Sequence, residues 1–173
     1  MTLGRALIAV GVALMVVVPP LSLLHPWGDL RATTQPNGTV LAGTNVPAEV
    51  REVFEAKCSD CHSEETKWPE YSRIAPVSWL VERDVFEGRN HLNLSRWQAY
   101  SRESQIDLLT QIDLLTKIGS EARSGEMPVR QYLLLHPKAR LSSQEQQLLY
   151  EWARAERKRV RNVVVSLGVQ PHF

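Results

Sequence analysis

The only two cysteines of this 173-residue chain lie three positions apart, in Cys58-Ser59-Asp60-Cys61-His62. Two cysteines placed at random would take this spacing, with histidine next, about once in 3,000 such chains. Coincidence is therefore a poor account. Cys-x-x-Cys-His is the attachment signature of a c-type haem, in which two thioether bonds reach the porphyrin vinyl groups and the histidine gives a nitrogen to iron. At a helix end, thiols three residues apart face one side and the next residue swings beneath the ring. A redox dithiol of the thioredoxin kind calls for a βαβ setting that the sequence lacks, and a zinc site needs two further ligands nearby. Covalent haem is the preferred reading, with Cys58 and Cys61 as attachment points and His62 as proximal iron ligand.

The sixth iron position decides between passing electrons and binding small molecules. Met1 and Met15 fall in an apolar N-terminal segment, which leaves Met127, in "SGEMPVRQY", as the one thioether available to the rest of the chain. Met127 is the preferred distal ligand, on a loop stiffened by the following proline. His91 in "GRNHLNLS" and His136 in "LLLHPKA" are the alternatives and would give a lower potential; a methionine packed in the core is also common. His25 and His172 lie towards the ends of the chain and are set aside.

After Arg5, residues 6–18 are uncharged and mostly apolar, followed by Pro19-Pro20 and an apolar stretch to Leu24. A basic start with such a run fits a secretory signal, and residues 6–24 nearly reach the ~20 needed to span a bilayer. The two prolines favour cleavage because they stop a helix, yet no small-x-small site follows closely. A retained anchor is placed ahead of a cleaved signal. Either way the remainder is expected outside the cytoplasm, in the periplasm, where c-type haem is attached.

Residues 25–45, rich in Pro, Gly, Thr and Asn, read as a linker. A haem domain is then expected over 46–161 and a tail over 162–173. Pro47 suits a first helical turn, and Val50, Val53, Phe54, Lys57 and Cys61 share a face, so the spacing predicts a helix that the cysteines close. A second helix is expected from Pro76 to Glu87, with Val77, Leu80, Val81 and Val85 inward and Gly88 as its stop. A third helical region covers about Ser95 to Arg123, broken near Ser101, and holds "QIDLLT" twice, at 105–110 and 111–116. Six residues turn a helix by about 600°, so the copies present different faces and read as a local duplication. Ser142 with Glu145 forms a capping box opening a last helix, with Leu148, Leu149, Trp152 and Ala155 as its stripe. No series of strands emerges, and the domain is expected to be all-α.

Over most of this span, "CSDCHSEETKWPEYSRIAPVSWLVERDVFEGRNHLNLSRW" and "SGEMPVRQYLLLHPKARLSSQE" resemble the haem-binding domain family of small bacterial single-haem c-type cytochromes. The resemblance implies a cytochrome-c-like helical fold around one haem c, exported and often anchored. Cys58 and Cys61 match its attachment cysteines, His62 its proximal ligand and Met127 the methionine of its Gly-Glu-Met-Pro segment; His91 and His136 also match motif positions. The duplicated hexapeptide matches no family pattern.

The expected function is single-electron transfer by an electron carrier, not an enzyme, to a redox partner protein. The alternative is a haem sensor or peroxidase-like protein with an open or displaceable sixth position, although no distal acid–base pair stands out. A respiratory accessory domain whose haem is mainly structural is a third possibility. Trp68, Tyr71, Trp79 and Trp97 could pack on the porphyrin or bond its propionates, with Arg73 as charge partner, but core packing serves as well. Twenty basic against nineteen acidic residues leave a formal charge of +1, which gives no field for nucleic acid. The basic run Arg154, Arg157, Lys158, Arg159 and Arg161 reads first as a solvated helix end and second as a surface for an acidic partner or lipid.

Overall fold

A computed structural model describes residues 3–34, 40–41, 46–100 and 105–166, apart from the side chains of Tyr100 and residues 105–109. The described chain is helical, with no strand among the described residues. Helix α1 (Leu3–Leu21) buries none of its side chains and has a mean hydropathy of 2.0, so by length and composition it is able to cross a membrane. Pro19 and Pro20 do not stop it before they occur. They occupy its last turn, and the helix ends at Leu21, with the Ser22 hydroxyl donating to Val18 O at 2.8 Å.

Helix α2 (Ala48–Lys57) turns Val50, Val53 and Phe54 inward as their spacing predicts. It ends earlier than expected. Cys58 takes φ −121°, its N–H closes the last turn on Phe54 O at 3.0 Å, and a separate turn, α3 (Ser59–His62), carries Cys61 and His62. After a 3-10 turn at Glu70–Arg73, helix α4 (Val77–His91) departs further from expectation. Its buried residues are Ser78, Glu82, Val85 and Gly88, whereas Val77 and Leu80 are 40% and 39% exposed. Gly88 is not a stop but a contact inside the helix: a Cβ there would lie 2.5 Å from Cys61 O. Gly is the residue that lets α4 approach α3 this closely.

A 3-10 turn at Leu94–Arg96, capped by Asn93 Oδ1 accepting from Ser95 N at 3.0 Å, leads into α5 (Trp97–Tyr100). The break expected near Ser101 lies outside the described residues. Helix α6 (Gln105–Ser124) contains both hexapeptide copies; in the second, Gln111, Leu114 and Leu115 are buried and Thr116 is exposed. Gly125, at φ +74°, ends it in the left-handed conformation. The short α7 (Arg130–Leu135) follows, then α8 (Ser143–Ser166).

The capping box is formed: the Ser142 hydroxyl accepts from Glu145 N at 3.2 Å, and Ser142 N donates to Glu145 Oε2 at 2.7 Å. Helices α6 and α8 make the main helix pair, with Leu115, Leu149, Ala153, Val160 and Val164 between them and α2. Trp152 meets Phe54 edge-on at 5.4 Å and Trp97 at 6.1 Å. Ala155 is exposed, and Ala153 takes the inward place expected of it. Helix α8 also runs past residue 161, with Val164 1% exposed, so the core includes part of the expected tail.

The expected linker is likewise not free of the domain where it is described. His25 Nδ1 bonds Glu82 Oε1 at 2.7 Å, Trp68 Nε1 donates to Thr34 Oγ1 at 2.9 Å, and the Arg31 guanidinium donates to Ser72 O and Oγ. Leu41 is fully buried, with its N–H on Leu94 O at 3.0 Å.

Candidate functional site

Where α3, α4, α6 and the loop before α7 meet, they enclose a cavity of about 380 Å³. That lies in the range of roughly 300–1,000 Å³ typical of cofactor sites. Phe54, Leu92, Leu114, Ile118, Leu141 and Leu149 give it apolar walls, and Cys58, Cys61, His62, His91 and Met127 all line it. The chain thus gathers at one cavity Cys58 and Met127, 69 positions apart in sequence.

Local structure sets each group. Cys58 closes α2 and Cys61 lies in the following turn, whose His62 N–H bonds Cys58 O at 2.9 Å. Burial pushes both thiols up to about 12, which removes the thiolate that a reactive dithiol needs. Neither cysteine is in a disulfide. The His62 ring is held by its Nδ1–H, which donates to Leu92 O at 3.1 Å. That bond fixes the tautomer and leaves Nε2 with its lone pair; burial also lowers the ring's pKa, so it stays neutral. A neutral imidazole oriented through its far nitrogen is the form a metal takes.

Gly88 and Leu92, one turn apart on α4 and just beyond it, therefore support Cys61 and His62 respectively. Arg89 ties down the chain after the motif, donating to Ser63 O at 2.8 Å and Thr66 Oγ1 at 3.0 Å. Within the motif, Asp60 Oδ2 accepts from Tyr132 OH at 2.7 Å. Burial and this carboxylate raise the phenol's pKa, so Tyr132 remains a donor. The bond links α3 to α7, five residues after Met127. The sequence reading missed these supports, because a backbone carbonyl, a glycine and a variable motif position carry no signature of their own; the run of Gly88, Arg89 and Leu92 at helical spacing was the available hint.

The alternatives for the distal side separate. Met127 lines the cavity and is 38% exposed. His91 also lines it, exposed, with Nδ1–H donating to Glu87 O at 2.8 Å. His136 is not brought to this cavity: its Nε2 meets Tyr71 OH at 2.5 Å and its ring stacks on Tyr132 at 4.3 Å. The aromatic residues weighed between porphyrin contact and core packing do not line this cavity. Trp97 is in the core, Trp68 lies under Arg31 at 4.5 Å, Trp79 Nε1 donates to Leu24 O at 2.9 Å, and Arg73 pairs with Glu70 in solvent.

A flat, largely apolar group with two points of attachment and one nitrogen ligand fits this cavity on its chemistry. Among the described residues no cluster of three or more His, Cys, Asp or Glu side chains converges as a bare-metal site. No curated protein and no solved structure is matched by the chain. A family model described as a haem-binding domain does match it, from the last turn of α1 to the middle of α8. With that match over residues 20–155, well over half of the 173, the chain belongs to the haem-binding domain family.

Proposed function

We propose that this protein is a monohaem c-type cytochrome that passes single electrons outside the cytoplasm, held at the membrane by α1. The observation that carries the reading is the convergence at one apolar cavity of Cys58, Cys61 and His62, with Met127 brought to it by a separate segment. Cys58 and Cys61 would hold the haem by thioethers; His62 and Met127 would be its axial ligands. The bound haem supplies the Fe(II)/Fe(III) couple. The chain's own part is to exclude water with leucine, isoleucine and phenylalanine walls, to hold His62 neutral and oriented through Leu92 O, and to present Met127. With His62 and Met127 both holding the iron, no position would remain for substrate, which supports an electron carrier serving a redox partner protein. One cation in excess leaves no charge basis for nucleic acid.

A second reading, a haem sensor or peroxidase-like protein, draws on the partial exposure of Met127 on a loop, from which a ligand could be displaced. An absorption spectrum separates the two. The oxidised protein is expected to show the weak far-red band of thioether-ligated ferric haem, and Met127→Ala to abolish it. Persistence of the band in that variant would refute Met127, and ready binding of carbon monoxide to the reduced wild type would favour the sensor.

A further inference from the structure

Of the α4 residues expected inward, Val85 is buried and Val81 half-buried, but Val77 and Leu80 are exposed, and Ile74, just before the helix, is exposed with them. Ile74 is 55%, Val77 40% and Leu80 39% exposed. Val77 and Leu80 border the same shallow depression as Leu135, which is 61% exposed. Single exposed leucines are ordinary, but a contiguous apolar face calls for an occupant.

Three bonds say where this face lies. Ser22 Oγ accepts from Ala75 N at 3.0 Å, Leu24 O accepts from Trp79 Nε1 at 2.9 Å, and His25 Nδ1 meets Glu82 Oε1 at 2.7 Å. Each joins the segment just after α1 to the start of α4. Glu82 is 1% exposed, so its bond to His25 is shielded from competing water. A helix that spans the bilayer over Leu3–Leu21 places Ser22–Leu24 at the lipid–water boundary. Ala75 and Trp79, bonded to that segment, then lie near the same boundary, and Ile74, Val77 and Leu80 are within two residues of one or the other in the chain.

We infer that the start of α4 is a second membrane contact, with Ile74, Val77 and Leu80 seated in the headgroup–acyl boundary of the bilayer that holds α1. Trp79 takes the amphipathic position that tryptophan favours there, and Arg73, 65% exposed on its side chain, lies next to lipid phosphate. The three ties prevent the domain from swinging on a flexible tether. They hold α4, which helps line the cavity, at one orientation to the membrane, which suits exchange of electrons with a membrane-embedded partner. The inference rests on the reading of α1 as a retained anchor.

The test uses the full, haem-loaded chain in phosphatidylcholine vesicles containing a fraction of lipid with a photoreactive diazirine in its acyl chain. Irradiation, digestion and mass spectrometry are expected to find lipid adducts in residues 3–24 and also in the peptide holding Ile74–Leu80. The double variant Val77→Glu/Leu80→Glu should lower adducts in that peptide severalfold while leaving those in α1 unchanged. Adducts confined to α1, with the 74–80 peptide unlabelled, would overturn the contact while leaving the anchor standing, and would hand this face to a protein partner. Loss of residues 1–24 from the mass of the cell-derived chain would overturn the anchor and the contact together.

Discussion

Gly88 and Gly119 are both helical glycines, and their surroundings predict opposite outcomes on gaining a methyl group. At Gly88 the new Cβ would meet the Cys61 carbonyl oxygen at 2.5 Å and its carbon at 3.0 Å. Backbone cannot swing aside, so Gly88→Ala is expected to cost about 1–3 kcal/mol in urea denaturation and to lower haem content by displacing α3. At Gly119 the nearest atoms, Ala153 Cβ and Tyr150 Cδ2, lie at 3.5 Å, an ordinary contact. Gly119→Ala should therefore be neutral, or stabilising by up to about 1 kcal/mol through helix propensity. Equal effects of the two would refute the account of Gly88. The cluster of Cys58, Cys61 and His62 stood out in sequence because its residues are rare types at a fixed spacing. Gly88 was not: in sequence, a glycine after an apolar run reads the same whether it ends a helix or admits a neighbour.

At the scale of the element, the joint between α2 and α8 turns on Glu145. Burial alone would raise its pKa, but Lys57 Nζ at 2.7 Å and the N–H and hydroxyl of Ser142 hold the carboxyl below the usual carboxylate range. A depressed pKa means that the unfolded chain takes up a proton before the folded one does. The contribution is complete at neutral pH and is lost as pH falls through the depressed value. Glu145→Ala is expected to cost about 1–2 kcal/mol at neutral pH and to make little difference in strong acid, measured by urea denaturation at each pH. A cost independent of pH would contradict this account. The capping box was readable because its two polar residues are local. The inward face of α4 was read correctly at Val85 and misread at Val77 and Leu80 for a physical reason: His25, 57 residues earlier, bonds Glu82, so a polar residue takes the sheltered side, and periodicity cannot register a distant polar neighbour.

For the whole molecule, the described part of residues 25–45 belongs to the domain rather than connecting to it. The bonds of His25, Arg31 and Thr34, and the buried Leu41, tie the described residues after α1 to α4 and to the turns that precede and follow it. Proline, glycine and asparagine made that stretch look like a linker, since turn chemistry says nothing about what the turns rest on. The full chain is expected to sediment with membranes and to resist extraction by carbonate, whereas a chain beginning after Leu24 should be released. Carbonate release of the full chain would contradict retention of α1.

On the proposed function, Cys58 and Cys61 hold a haem covalently. The direct measurement is the intact mass of the denatured protein, matured in a host able to attach c-type haem. The account predicts the mass of the chain plus one haem in the wild type, and the mass of the chain alone in the Cys58→Ala/Cys61→Ala variant. A denatured wild type at the bare polypeptide mass, or a double variant that still carries the haem, would contradict it.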